Sequence, residues 1–270
     1  MMHDESGNRW SEPQQRGKFP VKVSPVFWLI LLITLFSAGM AYHNQPGMQL
    51  WIFLLVLSGW IVSLSLHEFG HALAAYYGGD SSVAGKGYLT LNPVKYTNLF
   101  MSIVIPVVFL MMGGIGFPGG AVYVSMGAIR SRRWRSLVSA AGPLATAGCA
   151  FLLLIPFFMG FSQNLNPEQL GFWSALALLI FLQITALVLN LLPVPGLDGF
   201  GIIEPYLSPR LMHKLRDVGG LFILAMFFLL FSDTPVRKGF WLFIRLLLHL
   251  LGLDIALVRE GFQQFRFWNI

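Results

Sequence analysis

Residues 51–71 read WIFLLVLSGWIVSLSLHEFGH, and the interpretation of the whole chain starts from this stretch. Its first sixteen residues carry no charge, whereas its last five contain His67, Glu68 and His71. On a helix, positions i and i+4 share one face, so both imidazoles can bind one metal ion while the glutamate acts on a metal-bound water. The stretch therefore predicts a metal site on an apolar helix, in or near a lipid bilayer.

The composition is that of a membrane protein. Of the 270 residues, 56% are hydrophobic and 11% are charged, whereas soluble domains have about 25% charged residues. The formal net charge of +6 comes from basic residues that flank apolar segments, which indicates cytoplasmic loops rather than nucleic-acid binding. Cys149 is the only cysteine, which excludes an intrachain disulfide and a cysteine-based zinc site.

Apolar runs divide the chain into candidate membrane segments, since about 20 apolar residues cross a bilayer. The last run is broken by polar residues and a proline at 232–235, which predicts a helical hairpin that does not fully cross. The runs cover residues 25–43, 50–78, 99–117, 136–160, 172–194 and 219–253. The expected regions are a cytoplasmic tail (1–24), a first transmembrane anchor with a short outer loop (25–49), a core (50–205) and C-terminal membrane helices with a tail (206–270).

Lysine and arginine residues near the segment ends predict the orientation. Basic residues precede the first apolar run, cluster at 130–135 and follow the fifth run at 210–216. The loops 44–50 and 161–171 contain none. The N-terminus and the three basic regions are therefore expected on the cytoplasmic side of the membrane.

The segment 99–125 is expected to enter the membrane and return on the same side. A full crossing by 99–117 would place the arginines of 130–135 outside. Glycine and proline residues at 113–120 break the helix, and residues 121–125 (AVYVS) have the pattern of a short strand. Irregular backbone at membrane depth is tolerated only where protein or a wet cavity satisfies it. We therefore predict a re-entrant helix and a returning strand that packs against the core.

The helix motif needs a third ligand, because a catalytic zinc keeps three protein ligands and leaves a fourth position to water. Asp198 is the first candidate, since the prolines and glycines of 190–199 unwind the end of an apolar helix and let a carboxylate point into the bundle. Glu204 is the next candidate. The alternatives are a buried polar cluster without metal and, for Asp198, a helix-end or turn aspartate.

Other polar residues in the apolar segments could assist the reaction. Glu68 is expected to be the general base toward the zinc-bound water and then the proton donor to the leaving amine. Asn190 could bind the substrate backbone or the developing oxyanion, or could hydrogen-bond a neighbouring helix. Gln183 has the same alternatives. The small residues of 140–148 are expected to let helices approach closely.

The chain resembles the site-2 protease family of intramembrane zinc metalloproteases. The resemblance covers residues 50–205 and rests on three blocks in a fixed order, with the Leu-Asn-Pro of 91–93 as a further likeness. The blocks are HEFGH at 67–71, AGPLA at 141–145 and NLLPVPGLDG at 190–199.

The resemblance implies a role for each matching residue. The zinc ligands would be His67, His71 and Asp198, the catalytic acid/base would be Glu68, and Asn190 would lie near the substrate. The family fold is a three-helix core whose active site faces the cytoplasm. In this chain the core would consist of residues 50–78, 136–160 and 172–199.

Two positions depart from the family pattern. Thr146 stands where relatives often have asparagine, and this change is expected to affect packing more than chemistry. Tyr96 falls near a place where close relatives often have histidine. No region is large enough for an inserted PDZ domain, so substrate access would depend on the re-entrant segment, the extra helices or a partner. The predicted strand at 121–125 could pair with an unwound substrate by strand addition.

We therefore predict an all-α polytopic membrane protein with a three-helix core, flanking transmembrane helices and a small re-entrant or β element. Its predicted function is zinc-dependent hydrolysis of peptide bonds in or near transmembrane segments, with one Zn²⁺ per chain. The expected partners are a substrate helix and the lipid bilayer of the cell membrane, without nucleic acid; a regulatory partner is left open. The alternative function is a non-proteolytic membrane scaffold or metal-ion carrier that uses the same His/Asp cluster.

Overall fold

The structure, a computed structural model, describes residues 21–96, 108, 122–162 and 166–266. Within these residues it contains ten α-helices and no β-strand. The helices are α1 (Pro25–Tyr42), α2 (Met48–Gly78), α3 (Ser82–Gly85), α4 (Arg132–Phe158), α5 (Leu170–Asn190), α6 (Asp198–Ile203), α7 (Pro209–Asp217), α8 (Gly219–Phe231), α9 (Pro235–Leu250) and α10 (Ile255–Phe265). Short 3-10 turns cover Tyr88–Thr90, Pro93–Lys95, Pro167–Gln169 and Glu204–Tyr206.

The long helices confirm the all-α polytopic membrane fold. By length and composition, α1, α2, α4 and α5 with its preceding turn could each cross a membrane. The helices α8 and α9 are apolar enough together, but they are bent by 76° at their junction. This break lies at the polar interruption at 232–235 that the sequence predicted, and α9 begins at its proline, Pro235.

Most of the predicted re-entrant element lies outside the described residues. Of residues 99–121 only residue 108 is described, and it is helical. The re-entrant helix therefore stays a prediction. Residues 122–125 are described and have no regular secondary structure, so the predicted strand is not formed by these residues.

Local sequence explains where the first two long helices begin and end. The Ser24 hydroxyl accepts a hydrogen bond from the Phe27 N–H at 3.1 Å, and Pro25 occupies the first turn of α1, where its missing N–H costs nothing. Gly79 follows α2 with a φ of +124°, which other residues rarely adopt. A Cβ at Gly79 would lie 2.6 Å from the Ala128 carbonyl oxygen. The glycine therefore lets the chain around residue 128 pack against the end of α2.

Helix α5 lies at the centre of the bundle. In its most apolar stretch 83% of the residues are buried, compared with 17% in α1. Helix α2 crosses α4 closely, since a Cβ at Gly70 would lie 2.7 Å from the Ala141 carbonyl oxygen. The helices α2, α4 and α5 thus form the three-helix core that the sequence predicted.

Helix α10 packs antiparallel along the first half of α5. A Cβ at Gly261 would lie 2.9 Å from the Leu178 Cβ. Nearer the start of α5, a Cβ at Gly171 would lie 3.1 Å from the side-chain oxygen of Gln264. The end of α10 therefore meets the beginning of α5, and the other end of α5, at Asn190, is left for the candidate site.

Candidate metal centre

Three side chains that the sequence analysis selected meet at one point. The Nε2 atoms of His67 and His71, one turn apart on α2, are 3.1 Å from each other. The Asp198 carboxylate lies 3.2 Å from Nε2 of His67 and 3.3 Å from Nε2 of His71. Within the described residues these three form the one group of ligand-type side chains close enough to hold a metal ion.

The turn after α5 brings Asp198 to the two histidines. Pro193 and Pro195 interrupt the helix, and Gly196 has a φ of +101°, a left-handed conformation suited to glycine. The chain reverses there, and Asp198 begins α6. Burial opposes ionisation of the Asp198 carboxyl, but the neighbouring histidines outweigh this effect and hold its pKa below its usual range. Asp198 is therefore a carboxylate, which is the form that binds metal.

The spacing of the three ligand atoms suits zinc. Atoms about 2.0–2.1 Å from a common tetrahedral centre lie about 3.3 Å apart, close to the 3.1–3.3 Å found here. The Nδ1 atom of His67 hydrogen-bonds the Thr146 hydroxyl at 2.8 Å, and Nδ1 of His71 hydrogen-bonds the Val138 carbonyl oxygen at 2.7 Å. Nδ1–H donation to these oxygens leaves both Nε2 lone pairs available to a metal and fixes the ring orientations.

Gly142 of α4 gives the imidazoles their space. A Cβ at this position would lie 2.6 Å from Nε2 of His67 and nearer still to Nε2 of His71. From the sequence, the small residues of 140–148 are expected to serve helix packing. The structure shows that one of them also faces the ligand atoms, and that no larger residue could do so without displacing them.

Glu68 is buried beside the proposed ligands, with 2% of its surface exposed. The backbone N–H of Val122 donates a hydrogen bond to its carboxylate. Its Oε2 atom has no hydrogen-bond partner among the described residues, which is unusual for a buried carboxylate oxygen. Glu68 is also one of the residues that line the adjacent cavity.

A cavity of about 530 Å³ joins these residues to other predicted site residues. Asn190 and Gln183, which lie two turns apart on α5, both line it. Both side chains are buried, and Nε2 of Gln183 has no partner among the described residues. Residues 122–124 and Met126 form part of the opposite wall.

Asp80 and Lys86 anchor this wall. One carboxylate oxygen of Asp80 accepts from the Ser125 N–H at 2.7 Å, and the other accepts from the Ser82 N–H at 3.0 Å. The Lys86 ammonium donates to the Tyr123 carbonyl oxygen at 2.9 Å. Burial opposes ionisation of Asp80, but the hydrogen bonds from Ser82 and Ser125 and the nearby Lys86 lower the pKa of its carboxyl.

Replacing Asp80 with asparagine is expected to loosen residues 122–126. The Ser82 and Ser125 N–H groups bind different carboxylate oxygens, and asparagine replaces one of these oxygens with an NH₂ donor and removes the charge. Hydrogen bonds to charged groups contribute about 1.5–3 kcal/mol each, so exchange of the Ser125 amide hydrogen should accelerate at least about tenfold. Because the pKa of Asp80 is lowered, the wild-type contact should persist until the pH falls below the usual carboxyl range. Equal exchange rates in wild type, Asp80→Asn and the exposed control Asp217→Asn would contradict this assignment.

Two contributors were not singled out from the sequence. Asp80 was not selected, although an aspartate two residues before a helix start signals a contact with the backbone N–H of Ser82. Gly142 was expected to serve helix packing alone. Thr146, expected to affect packing more than chemistry, has its hydroxyl in contact with Nδ1 of His67, and its effect on the chemistry stays a prediction. Glu204, the second ligand candidate, is not part of the ligand group found within the described residues.

The chain is similar to curated proteins over most of its length. It is 41% identical over 254 residues to "Putative zinc metalloprotease Rip2" of Mycolicibacterium smegmatis, which covers 92% of this chain and 95% of the relative. It is 40% identical over 264 residues to the protein of the same name from Mycobacterium tuberculosis strain H37Rv, with 96% and 99% covered. "Putative zinc metalloprotease YwhC" of Bacillus subtilis is 31% identical over 180 residues, with 65% and 78% covered.

No protein-family model and no solved structure matches the chain. The similarity to the curated relatives nevertheless extends through both helices that carry the candidate ligands, since nearly the whole chain is aligned. The chain therefore belongs to the same zinc metalloprotease family as these relatives, as its resemblance to the site-2 proteases predicted.

Proposed function

We propose that the protein is an intramembrane zinc endopeptidase of the site-2 type, which hydrolyses peptide bonds in or near transmembrane segments of other membrane proteins. The observation that carries the proposal is the convergence of His67, His71 and Asp198 beside the buried Glu68. This group lies among helices long and apolar enough to cross a membrane. A metal-ion carrier or scaffold would need the ligands, but it would not need a buried glutamate that lines the cavity and has an oxygen without a partner among the described residues.

The proposed chemistry assigns a separate task to each polar group. A zinc ion held by His67, His71 and Asp198 would lower the pKa of a bound water to about 7 and polarise the scissile carbonyl. Glu68 takes a proton from the attacking water at its free oxygen and returns it to the nitrogen of the leaving amine. The peptide C–N bond breaks, and one water molecule is consumed for each pair of new ends.

Asn190 and Gln183 are proposed to position the substrate. Their amide groups lie on one face of α5 and line the same cavity as Glu68. A side-chain amide can donate to a peptide carbonyl and stabilise negative charge that develops on its oxygen. The unpartnered Nε2 of Gln183 supports this role over an interhelical hydrogen bond within the described part of the chain.

The wall at 122–126 is proposed to bind the unwound substrate. Residues 122–125 form no strand, but their backbone contacts point alternately to two sides of the segment. The contacts follow this alternation, because Tyr123 and Ser125 bind Lys86 and Asp80 whereas Val122 binds Glu68. The backbone groups of Val124 then face the same way as those of Val122, and they could pair with an extended substrate.

We propose further that residues 50–205 form the catalytic core and that the metal centre lies toward the cytoplasm. The support is the position of the centre at the Asn190 end of α5, next to the arginine-rich start of α4. Positively charged segment ends favour the cytoplasmic side. The N-terminal tail would lie on that side as well.

The decisive test compares wild type with Glu68→Gln in cleavage of a transmembrane model substrate and in zinc content. Loss of general acid–base catalysis should lower cleavage at least about 100-fold, while zinc stays near one per chain because Glu68 is not a ligand. Glu168→Gln, on an exposed turn, is the matched control and should cleave normally. Equal cleavage by wild type and Glu68→Gln would contradict the proposed protease function, and the metal-ion carrier would then be the remaining hypothesis.

A further inference from the structure

A second cavity, of about 650 Å³, lies between α9, α10 and α5. Five basic residues line it, together with one acidic residue, Asp233. Its floor is aromatic: the Trp241 ring stacks on Phe181 with centroids 6.1 Å apart, and the Phe262 ring meets Phe181 edge-on at 5.6 Å. The basic residues are Arg237, Lys238, Arg245, Arg259 and Arg266.

The two helices present the same pattern to this cavity. On α9, Arg237, Trp241 and Arg245 follow one another at intervals of four residues and therefore share a face. On α10, Arg259 lies three residues before Phe262, and Arg266, which directly follows the helix, lies four residues after Phe262. Each helix thus places an aromatic ring between two guanidinium groups, and the paired faces form an apolar floor with a cationic rim.

The positive charge of the rim is mostly unbalanced. Lys238 pairs with Asp233 at 3.3 Å, and Arg266 lies over the Phe262 ring while donating to the Phe262 carbonyl oxygen. In the described part of the chain, Arg237, Arg245 and Arg259 take part in no salt bridge. Three arginines therefore face the cavity without a carboxylate partner.

Four of the five basic residues of the rim are exposed on the protein surface, but this surface borders helices of membrane-spanning character. Phe181 lies midway along the membrane-spanning α5, and the opposite face of α9 exposes large apolar side chains, including Leu242, Leu246 and Leu250. Such a face is suited to lipid tails. Placing a charged arginine or lysine side chain beside a membrane span costs free energy, and such side chains are usually paired with an opposite charge. We therefore expect an anion between α9 and α10.

We propose that this cavity binds an acidic phospholipid, with the phosphate on the cationic rim and an acyl chain along the aromatic floor. Arginine binds phosphate oxygens in a bidentate manner, and basic pockets between membrane helices suit anionic headgroups. The volume lies within the range of about 300–1,000 Å³ that is common for ligand sites. The site is separate from the metal centre, because α10 follows the half of α5 that lies away from Asn190.

The test uses the full-length protein reconstituted in phosphatidylcholine nanodiscs with and without phosphatidylglycerol. Native mass spectrometry counts the phosphatidylglycerol molecules that stay bound after extraction. Removing two rim cations in the double variant Arg245→Gln/Arg259→Gln should weaken retention about 30-fold, at about 1 kcal/mol per cation. The control Arg210→Gln/Lys214→Gln removes the same charge from exposed positions on α7 and should retain the lipid as wild type does. Zinc content measures the folding of every variant.

Each outcome decides the proposal. Selective loss of phosphatidylglycerol from the double variant supports the lipid site. Equal retention by wild type and the double variant, or equal loss from the control, overturns it. Displacement of the lipid by inorganic phosphate alone would overturn the lipid assignment in favour of a soluble phosphate ligand, and stoichiometric co-purification of an acidic membrane protein would assign the cavity to a protein partner instead.

Discussion

Replacing Asp198 with alanine is expected to remove both bound zinc and peptide cleavage from the purified protein. The carboxylate supplies one of three ligand atoms that lie 3.1–3.3 Å apart, and a catalytic zinc needs three protein ligands. Loss of a group that merely orients a ligand weakens metal affinity about 10–100-fold, so loss of the ligand itself should exceed about 100-fold. His67→Ala should behave in the same way. Zinc content by elemental analysis and cleavage of a transmembrane substrate are the two measurements.

Zinc content and substrate cleavage together distinguish the proposed zinc ligands from the proposed acid/base residue. Asp198→Ala and His67→Ala should lose zinc and cleavage together, whereas Glu68→Gln should lose cleavage alone. Asp217→Ala, at an exposed position on α7, controls for the removal of a carboxylate. A well-folded Asp198→Ala protein with normal zinc content would contradict the proposed ligand set.

Replacing Gly142 with alanine is expected to abolish zinc binding although all three proposed ligand residues stay unchanged. The added Cβ would occupy the space next to Nε2 of both His67 and His71. This atom meets ring nitrogens that are fixed from behind by Thr146 and Val138, so the rings cannot swing away without breaking those hydrogen bonds. The affinity for zinc should fall at least about 100-fold, as for loss of a ligand. The zinc content of the purified protein measures this loss.

Gly148→Ala is the matched control for this substitution. It lies on the same helix, and a Cβ there would meet nothing within 4 Å. Alanine is favoured over glycine in a helix by about 0.5–1 kcal/mol, so this variant should keep its zinc and be at least as stable as wild type. If Gly142→Ala also kept its zinc, the histidine rings would have to adopt another arrangement than the one described.

The candidate site was largely predictable because its residues carry strong local signals. His67 and His71 share a helix face by spacing alone, and their position after an apolar run made a chance match improbable. Asp198 could be selected because charged residues in apolar surroundings are few, and because the prolines and glycines before it mark the end of a helix. The membrane fold followed from long apolar segments, since the bilayer restricts spanning structures to a few types.

The remaining contributors could not be predicted because they act across distant parts of the chain. Gly142 and Thr146 face the histidines only through the crossing angle of α2 and α4, which no local pattern encodes. The Asp80 carboxylate accepts a hydrogen bond from the backbone N–H of Ser125, which lies 45 residues later in the sequence. The cationic cavity was missed for a similar reason, since Arg245 and Arg259 belong to different helices and become neighbours only when α9 and α10 pack on α5.

The long separation between the proposed ligands has a consequence for the newly made protein. Asp198 is synthesised more than a hundred residues after His71, and it reaches the histidines only after α4 and α5 have entered the membrane and packed. A ribosome-bound chain that ends before this point holds two imidazoles and a glutamate but lacks the third ligand. With the proposed ligand set, such a chain would lack a complete metal centre, so we expect proteolytic activity to begin only after Asp198 has been synthesised.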